Sequence, residues 1–589
     1  MKSIWRTLNR LFSVLPRGAR AYYLGYSIAT GLLAFLDTAA LALIVMTITP
    51  LVSGTAITIP IIGELPQEAT SWVILIIAAL FIVKGVLALV LHWRATRKFA
   101  GYELELGDRI FANFIHSSWE KRSTISTPEL TRMVDSSVGN ASRGFLLPLS
   151  QIPGNALTFV SALLILVVAE PLTALIALVY LSLISGALSF VVARRSRTAG
   201  TVARNYSFRV ATIMTEMIDA LKEVTLRGKL NEAGRMISKN RAVATRARAS
   251  LAFIGVVPRY TLEAALIGGF VIVGGASMLF SGPEAAVVSI SLFAASGFKM
   301  IPSMNAVQSS LTAASSNEVY ALDVIRELEA QDEFVSVPDD TSDLVATPKE
   351  LMLNDVSFTY AGAERPVLNG LSLRVPFGSS LAIVGPSGAG KSTLIDILLG
   401  LSTPTSGSLT IDGTPLTDVL QQWRDRVGYV PQRVALFDGS IAQNVALTWE
   451  DEFDAERVSE VLKLAHVHEI AERGNGITER IGERGASISG GQQQRLGIAR
   501  ALYTDPLVMV MDEATSSLDT ATENRIVESL DSFAGEVTFI TVAHRLATIR
   551  NYDQVCYLDE GRVLGQGTFD EVVAAVPAFR VQAELAGLV

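Results

Sequence analysis

Residues 385–393 read GPSGAGKST, preceded by the apolar run Leu381 to Val384 and followed by the helix-like STLIDILLG. A strand, a glycine-rich loop and a helix are predicted in that order, the context in which G-x-x-x-x-G-K-[ST] binds phosphate. Gly385, Gly388 and Gly390 let the backbone curl so that its N–H groups face phosphate oxygens, with Pro386, Ser387 and Ala389 completing the turn. Lys391 brings positive charge to the terminal phosphates, Ser392 can ligate Mg2+, and Thr393 closes the motif. Further along, LVMVMDE at 507–513 has the pattern of a buried strand ending in two carboxylates. Asp512 can hold the Mg2+ shell and Glu513 can polarise an attacking water. Taken alone, that segment is equally a strand followed by an acidic turn; a phosphate loop in the same chain favours the catalytic reading.

These groups must be held by a chain of 589 residues, too long for one hydrophobic core. Half of the residues are hydrophobic and mean hydropathy is +0.39, which predicts a membrane portion. The net charge of -8 conceals two unlike halves: residues 1–319 carry 29 Lys+Arg against 17 Asp+Glu, and residues 320–589 carry 20 against 40. A basic membrane half suits an anionic leaflet, and an acidic second half argues against nucleic-acid binding. Cys556 is the only cysteine, so no intrachain disulfide is possible. The opening MKSIWRTLNRLFSVLPRGAR (1–20) lacks a separate apolar core with a cleavage site and reads as an amphipathic segment lying on the membrane.

Six stretches are apolar over the ~20 residues needed to span hydrocarbon as helix, near 21–50, 71–93, 147–169, 171–193, 250–280 and 284–312. Glu170 and Pro171 leave room only for a tight hairpin between the third and fourth. The connections 94–144 and 194–249 carry 8 and 13 Lys+Arg, whereas 51–70, the turn near 170 and 281–283 carry none. By the positive-inside rule both termini and both long connections are cytoplasmic. Their helical periodicity predicts helices that continue well beyond the membrane.

Asp37, Lys84, Arg259, Glu263 and Lys299 fall inside these spans, where an ionisable side chain is costly enough to suggest function. Arg259 and Glu263, four apart, could simply pair with each other. Lys84 and Lys299 have no carboxylate four residues away; an inner cavity or an anionic substrate competes with snorkelling. At ~1.5 Å per residue they lie ~18 Å and ~24 Å from the outer ends of their helices. After residue 320 an acidic linker (320–349) precedes alternating strand and helix patterns from 350 to 589, the signature of a nucleotide-binding α/β domain.

With ISGGQ at 488–492, between the phosphate loop and the strand ending in Asp512, the chain resembles the ATP-binding cassette transporters, specifically exporters with the membrane domain fused ahead of the cassette. The resemblance implies six transmembrane helices of exporter type (21–319) joined to an α/β P-loop NTPase cassette (350–589). It implies that Ser489, Gly490, Gly491 and Gln492 contact the γ-phosphate of ATP held by a second copy, in a homodimer. It further implies an adenine platform at Tyr360, a Mg2+-sensing glutamine at Gln432, a switch histidine at His544, and a dimer-contact loop at SSLD (516–519) with Asp519. GERG (482–485), TPELTRMVDS (127–136) and EMIDALKEVTLRGK (216–229) resemble segments through which exporter cassettes and membrane helices meet. Ile488 stands where the family usually has Leu.

Within the family the chain looks most like flippases of lipid-linked oligosaccharides. Lys84, Arg259 and Lys299 are then candidates for holding an anionic, amphipathic, lipid-linked head group at the cell membrane. A multidrug or general lipid exporter of the same fold is the alternative. An importer, whose membrane and ATPase parts are generally separate chains, does not suit the fused arrangement, and a cassette protein without spans does not suit the hydropathy.

Overall fold

The computed structural model describes residues 2–53, 57–59, 63–65, 70–330, 340–472, 474–482, 485–514, 520–531, 533–543 and 545–588. The chain divides into two compact units, Met1–Ser117 with Arg122–Phe334, and Ser118–Lys121 with Val335–Val589.

In chain order the first part runs α1 (Lys2–Val14), α2 (Ala19–Ser53), a small antiparallel hairpin of β1 (Ile57–Ile59) and β2 (Gly63–Leu65), α3 (Thr70–Ile115), and the short α4 (Trp119–Thr124) and α5 (Thr127–Thr131). Two π-helical stretches, Arg132–Ser137 and Asn140–Leu146, lead into α6 (Leu147–Ala169). Then follow α7 (Pro171–Asp219), α8 (Leu221–Leu226), α9 (Leu230–Ser281) and α10 (Pro283–Glu329).

Among the described residues, five helical segments are long and apolar enough to cross a membrane: Ile74–Ile115, Thr127–Ala169, Pro171–Asp219, Leu230–Phe280 and Pro283–Glu329. They take up five of the six expected spans. The remaining one, 21–50, lies on α2, whose outer side chains fall outside the described residues. The side chain of Asp37 is among those. Helices α3, α7, α9 and α10 have 46 to 52 residues, roughly 70–78 Å at ~1.5 Å per residue, more than twice the ~30 Å of hydrocarbon. The basic connections are therefore the continuations of these helices, as their periodicity predicts.

The turn at Glu170 and Pro171 forms as expected, with Glu170 extended and Pro171 opening α7. Its carboxylate accepts hydrogen bonds of 2.5 Å from both Thr173 and Ser289, and Ser289 also meets Ser277 at 2.9 Å. Small hydroxyls thus join α7, α9 and α10 near this turn.

Helix α1 is amphipathic, but its apolar face meets protein. Ile4, Leu8 and Leu11 are almost fully buried in a cluster with Phe99, Leu106 and Ile110 of α3 and Val324 and Ile325 of α10. Linker residues 320–329 are likewise helical. Ala321, Val324, Ile325 and Leu328 repeat at helical spacing and are buried, so α10 continues nine residues past the expected boundary at 320, to Glu329. Two buried carboxylates near the end of α10 are paired: Asp323 with Arg132 at 3.0 Å and Arg204 at 2.6 Å, and Glu318 with Arg197 at 3.2 Å and the Thr7 hydroxyl at 3.0 Å.

The second unit contains β3 (Glu350–Phe358), β4 (Leu368–Pro376), β5 (Ser380–Val384), α11 (Lys391–Leu398), β6 (Ser406–Ile411), β7 (Thr414–Pro415), α12 (Leu420–Asp425), β8 (Val427–Val430), α13 (Ile441–Ala446), α14 (Ala455–Leu464), α15 (Gly490–Tyr503), β9 (Val508–Asp512), α16 (Thr520–Asp531), β10 (Thr538–Val542), β11 (Gln554–Asp559), β12 (Arg562–Gly567), α17 (Phe569–Ala575) and α18 (Pro577–Leu585). A four-stranded antiparallel sheet has the order β4-β3-β6-β7; a six-stranded sheet has the order β12-β11-β5-β10-β9-β8 and is parallel from β11 through β8. Strand alternation sorts the six-stranded core by face. Val508, Val510, Ile540 and Val542 share one cluster with Leu394 and Leu398 of α11. Met509, Met511 and Phe539 share another with Leu496 and Ile498 of α15. Helices α11 and α15 therefore pack on opposite faces. Cys556 is buried in the first cluster, and burial pushes its thiol up to about 12.

A test of the helical unit follows from Gly200 on α7. A Cβ there would overlap the backbone carbonyl of Ser316 on α10, with the Ser316 carbonyl carbon and Cα only 2.9 Å away. Gly200→Val should destabilise the bundle by about 1–3 kcal/mol, the usual cost of overpacking. A lowered midpoint in thermal unfolding of the detergent-solubilised chain is expected; an unchanged midpoint would show that the helices do not approach so closely.

Candidate functional site

Parallel pairing decides where the candidate residues go. Val542 pairs with Asp512, Val430 with Met511, and Val542 with Ile383, so β5, β8, β9 and β10 end at one edge. The loops leaving that edge carry the phosphate motif, Gln432 and Glu513. Ligands of open α/β sheets bind at this carboxyl edge.

The phosphate loop joins β5 to α11 through Gly385, Gly388 and Gly390, at φ of 154°, 84° and 101°. A Cβ on Gly385 would strike the Leu558 carbonyl oxygen, and one on Gly390 would sit 2.8 Å from Leu368 Cδ2. The cradle thus needs glycine for both conformation and space. Lys391 Nζ donates to the carbonyls of Gly385 at 2.8 Å and Pro386 at 2.9 Å. Burial holds its ammonium below the usual lysine range, while the charges of Glu513 and Asp512 oppose that shift. Ser392 is exposed at the second position of α11, and Thr393 is buried. The Tyr360 hydroxyl meets Thr393 Oγ1 at 3.0 Å, and its ring, edge-on to Phe358 at 5.0 Å, remains 38% exposed. A partly open aromatic face therefore lies beside the phosphate loop.

Asp512 ends β9 and Glu513 follows at φ 51°, a left-handed conformation that a glutamate rarely adopts and that clusters at functional sites. Among the described residues its backbone is held by Glu513 N–H to the Val542 carbonyl at 3.2 Å and by Gln494 Nε2 to the Glu513 carbonyl at 3.3 Å. Gln432 Nε2 donates to Glu513 Oε2 at 2.7 Å. Two residues singled out separately in the sequence are thereby one unit. Gln494 went unnoticed because its role depends on burial, and QQQ at 492–494 gives no sign of which glutamine points inward.

The ISGGQ motif begins α15. Ser489 is its N-cap and forms a capping box: Ser489 Oγ accepts from Gln492 N–H at 3.3 Å, and Gln492 Oε1 accepts from Ser489 N–H at 3.0 Å. Gly490 is exposed, and a Cβ there would meet open space. Arg495, one turn on, pairs with Glu469 at 2.8 Å and donates to the His466 carbonyl, fixing the helix start. Among the described residues no hydrogen bond joins Ser489, Gly490 or Gly491 to the phosphate loop. His544 and Asp519 lie outside the described residues, as do Glu483 and Arg484 of GERG.

In the helical unit, Lys84 and Lys299 line one cavity of about 510 Å³ with Tyr26, His92, Gln151 and Asn155. Tyr26 Oη and His92 Nδ1 are 3.4 Å apart, and the Lys299 ammonium sits 5.1 Å from the Phe81 ring centre. Arg259 does not line this cavity. It pairs with Glu263 at 2.9 Å, and both side chains are more than half exposed.

A cassette of this geometry fused to membrane-length helices defines the class: the chain has the fold of an exporter half and carries an ATP-binding cassette. Residues 368–516 match the family model described as ABC transporter. A solved bacterial Atm1-family ABC exporter with ATP bound superposes with a TM-score of 0.76, covering 97% of this chain and 99% of that chain at 22% identity. An ATP-dependent lipid A-core flippase of Vibrio parahaemolyticus is 40% identical over 232 residues, which span 39% of this chain and 40% of the relative. A multidrug resistance ABC transporter ATP-binding and permease protein of Lactococcus lactis is 37% identical over 233 residues, 39% of each chain. ABC transporter B family member 18 of Arabidopsis thaliana is 40% identical over 233 residues, 19% of its length.

Asp396 on α11 offers a test by pH. Burial raises its carboxyl from 3.8 to about 6. A raised acid stabilises the fold fully below the unfolded value and loses that contribution as pH rises through the folded value. Wild-type stability should therefore fall between pH 4 and pH 6 relative to Asp396→Asn, by at most about 1 kcal/mol once solvent screening of this half-buried group is allowed for. Chemical denaturation of both proteins across that range measures it; parallel pH profiles would refute the raised value.

Proposed function

We propose that this chain is half of an ATP-driven exporter, two identical copies of which move an anionic amphiphile out of the cytoplasmic leaflet, with both termini and the cassette in the cytoplasm. What carries the reading is the bond between Gln432 and Glu513 at the sheet edge that also holds the phosphate loop, in a chain whose other unit is built from membrane-length helices.

The phosphate loop, Lys391 and the open Tyr360 face fit a nucleoside triphosphate. Ser392, Gln432 and Asp512 fit Mg2+, which when bound supplies Lewis-acid charge to the phosphate oxygens. Glu513, held by Gln432, polarises the water that attacks the terminal phosphate. By family resemblance His544 contacts that phosphate, Asp519 lies at the contact between copies, and Ser489, Gly490, Gly491 and Gln492 of the second copy close over it. ATP draws the cassettes together and hydrolysis resets them, so the access of the helical cavity alternates.

For the substrate we favour a lipid-linked oligosaccharide, whose phosphates suit the cavity shared by Lys84 and Lys299. Two considerations support it: the relatives include proteins named as lipid A-core flippases, and both lysines line a cavity that also carries hydroxyl, amide and imidazole groups able to meet an anionic head group. Arg259 contributes a third positive charge, already partnered by Glu263.

Glu513→Gln should lower ATP hydrolysis by roughly 100-fold or more, the weight of a lost general base, with nucleotide affinity retained in a fluorescent-nucleotide titration. Wild-type turnover in that variant would overturn the assignment. Lys84→Gln with Lys299→Gln should reduce translocation of a lipid-linked oligosaccharide in proteoliposomes by about tenfold, in line with losing paired charge contacts to phosphate. Undiminished translocation would point to the multidrug or general lipid alternative.

A further inference from the structure

A cleft of about 790 Å³ runs between α7 and α9 and is lined by Arg194, Arg195 and Arg246. Among the described residues no carboxylate lines it, and none of the three guanidinium groups has an ion-pair partner. Its walls change character along the helices. Arg194 and Arg195 directly follow the span at 171–193, and Arg246 stands just before the span at 250–280. From there a second hollow of about 450 Å³, sharing Arg195 and Ile254 with the first, continues along the spans past Phe253. Phe190 and Phe253 are 72% and 71% exposed.

We propose that this cleft holds an anionic phospholipid of the leaflet facing the long basic connections, its phosphodiester between the three arginines and its acyl chains along the apolar hollow. Placement and charge carry the assignment together. The arginines cluster at the depth where a headgroup lies, guanidinium groups bind phosphate oxygens in bidentate fashion, and basic pockets between spanning helices on the cytoplasmic side take acidic lipid head groups. The apolar continuation lies on the membrane side of the arginines, as a lipid requires and a free phosphate does not. The leaflet follows the topology proposed above; lipid capture itself needs neither ATP nor transport, so the two readings can fail separately.

The test uses the full chain in nanodiscs of phosphatidylcholine with a minority of phosphatidylglycerol, and native mass spectrometry of lipid retained after release, without nucleotide. The wild type should retain phosphatidylglycerol preferentially. Arg194→Gln/Arg195→Gln/Arg246→Gln should retain roughly tenfold less, a modest share of what three juxtamembrane charges contribute. Arg227→Gln/Arg235→Gln/Arg241→Gln, which removes the same charge from the same connection outside the cleft, should retain wild-type amounts. Equal retention in the cleft variant, or equal loss in the control, overturns the site. Should the cleft variant keep its lipid and lose its dimer mass, the occupant is a second copy of the chain and the lipid assignment is wrong.

Discussion

The shared carboxyl edge of four parallel strands is the constraint on which the cassette depends. Because β8, β9, β10 and β5 pair in parallel, their following loops emerge side by side although their sequences are far apart. Register then does the fine placement. Val430 lies against Met511 and Val542 against Asp512, which leaves Gln432 within hydrogen-bond reach of Glu513. A one-residue slip would turn every side chain to the opposite face, exchanging the two cores that fix α11 and α15. The same pairing thus sets the edge that carries the candidate site and the packing beneath it.

The helical unit works under a different constraint, since a charge in or near lipid must find water, a partner or a polar cavity. Each solution occurs here. Arg259 and Glu263 pair on one helical face; Lys84 and Lys299, from helices distant in sequence, share a cavity with hydroxyl, amide and imidazole groups. Near the ends of the long helices, Asp323 and Glu318 are buried under arginines from α7 and the π-helical stretch. Those arginines are spent on structure, whereas Arg194, Arg195 and Arg246 remain exposed in a cleft. Among the described residues, partnering rather than charge alone distinguishes Arg132, Arg197 and Arg204 from Arg194, Arg195 and Arg246.

Sequence alone made the local features legible: the phosphate loop, the strand ending in Asp512, the turn at Glu170 and the helices beyond the spans. Each is written in contiguous residues through spacing, glycine or proline. Features that depend on tertiary pairing were hidden. Nothing in VPQ announces that Gln432 reaches Glu513, and nothing in QQQ selects Gln494. Helical spacing at Ala321, Val324, Ile325 and Leu328 was present, yet the acidic residues around it pointed to a linker; burial of Asp323 against two arginines removes that cost. Likewise the apolar face of α1 suits lipid and protein equally, and only the facing side chains of α3 and α10 decide between them.

The two faces of the six-stranded sheet also limit what a single copy can do. Helix α11, which carries Lys391, is packed into one core, and α15, which starts at Ser489, into the other. Neither can cross the sheet without dismantling it. The start of α15 nevertheless has the form of an anion contact: Ser489 and Gln492 satisfy each other's backbone N–H groups, and among the described residues a side chain on the exposed Gly490 would meet open space. A phosphate reaching that turn must come from outside this sheet face, and in a homodimer the phosphate loop of the other copy is the source at hand. The homodimer proposed above agrees with this placement, which strand alternation in the core sets by packing α11 and α15 on opposite faces.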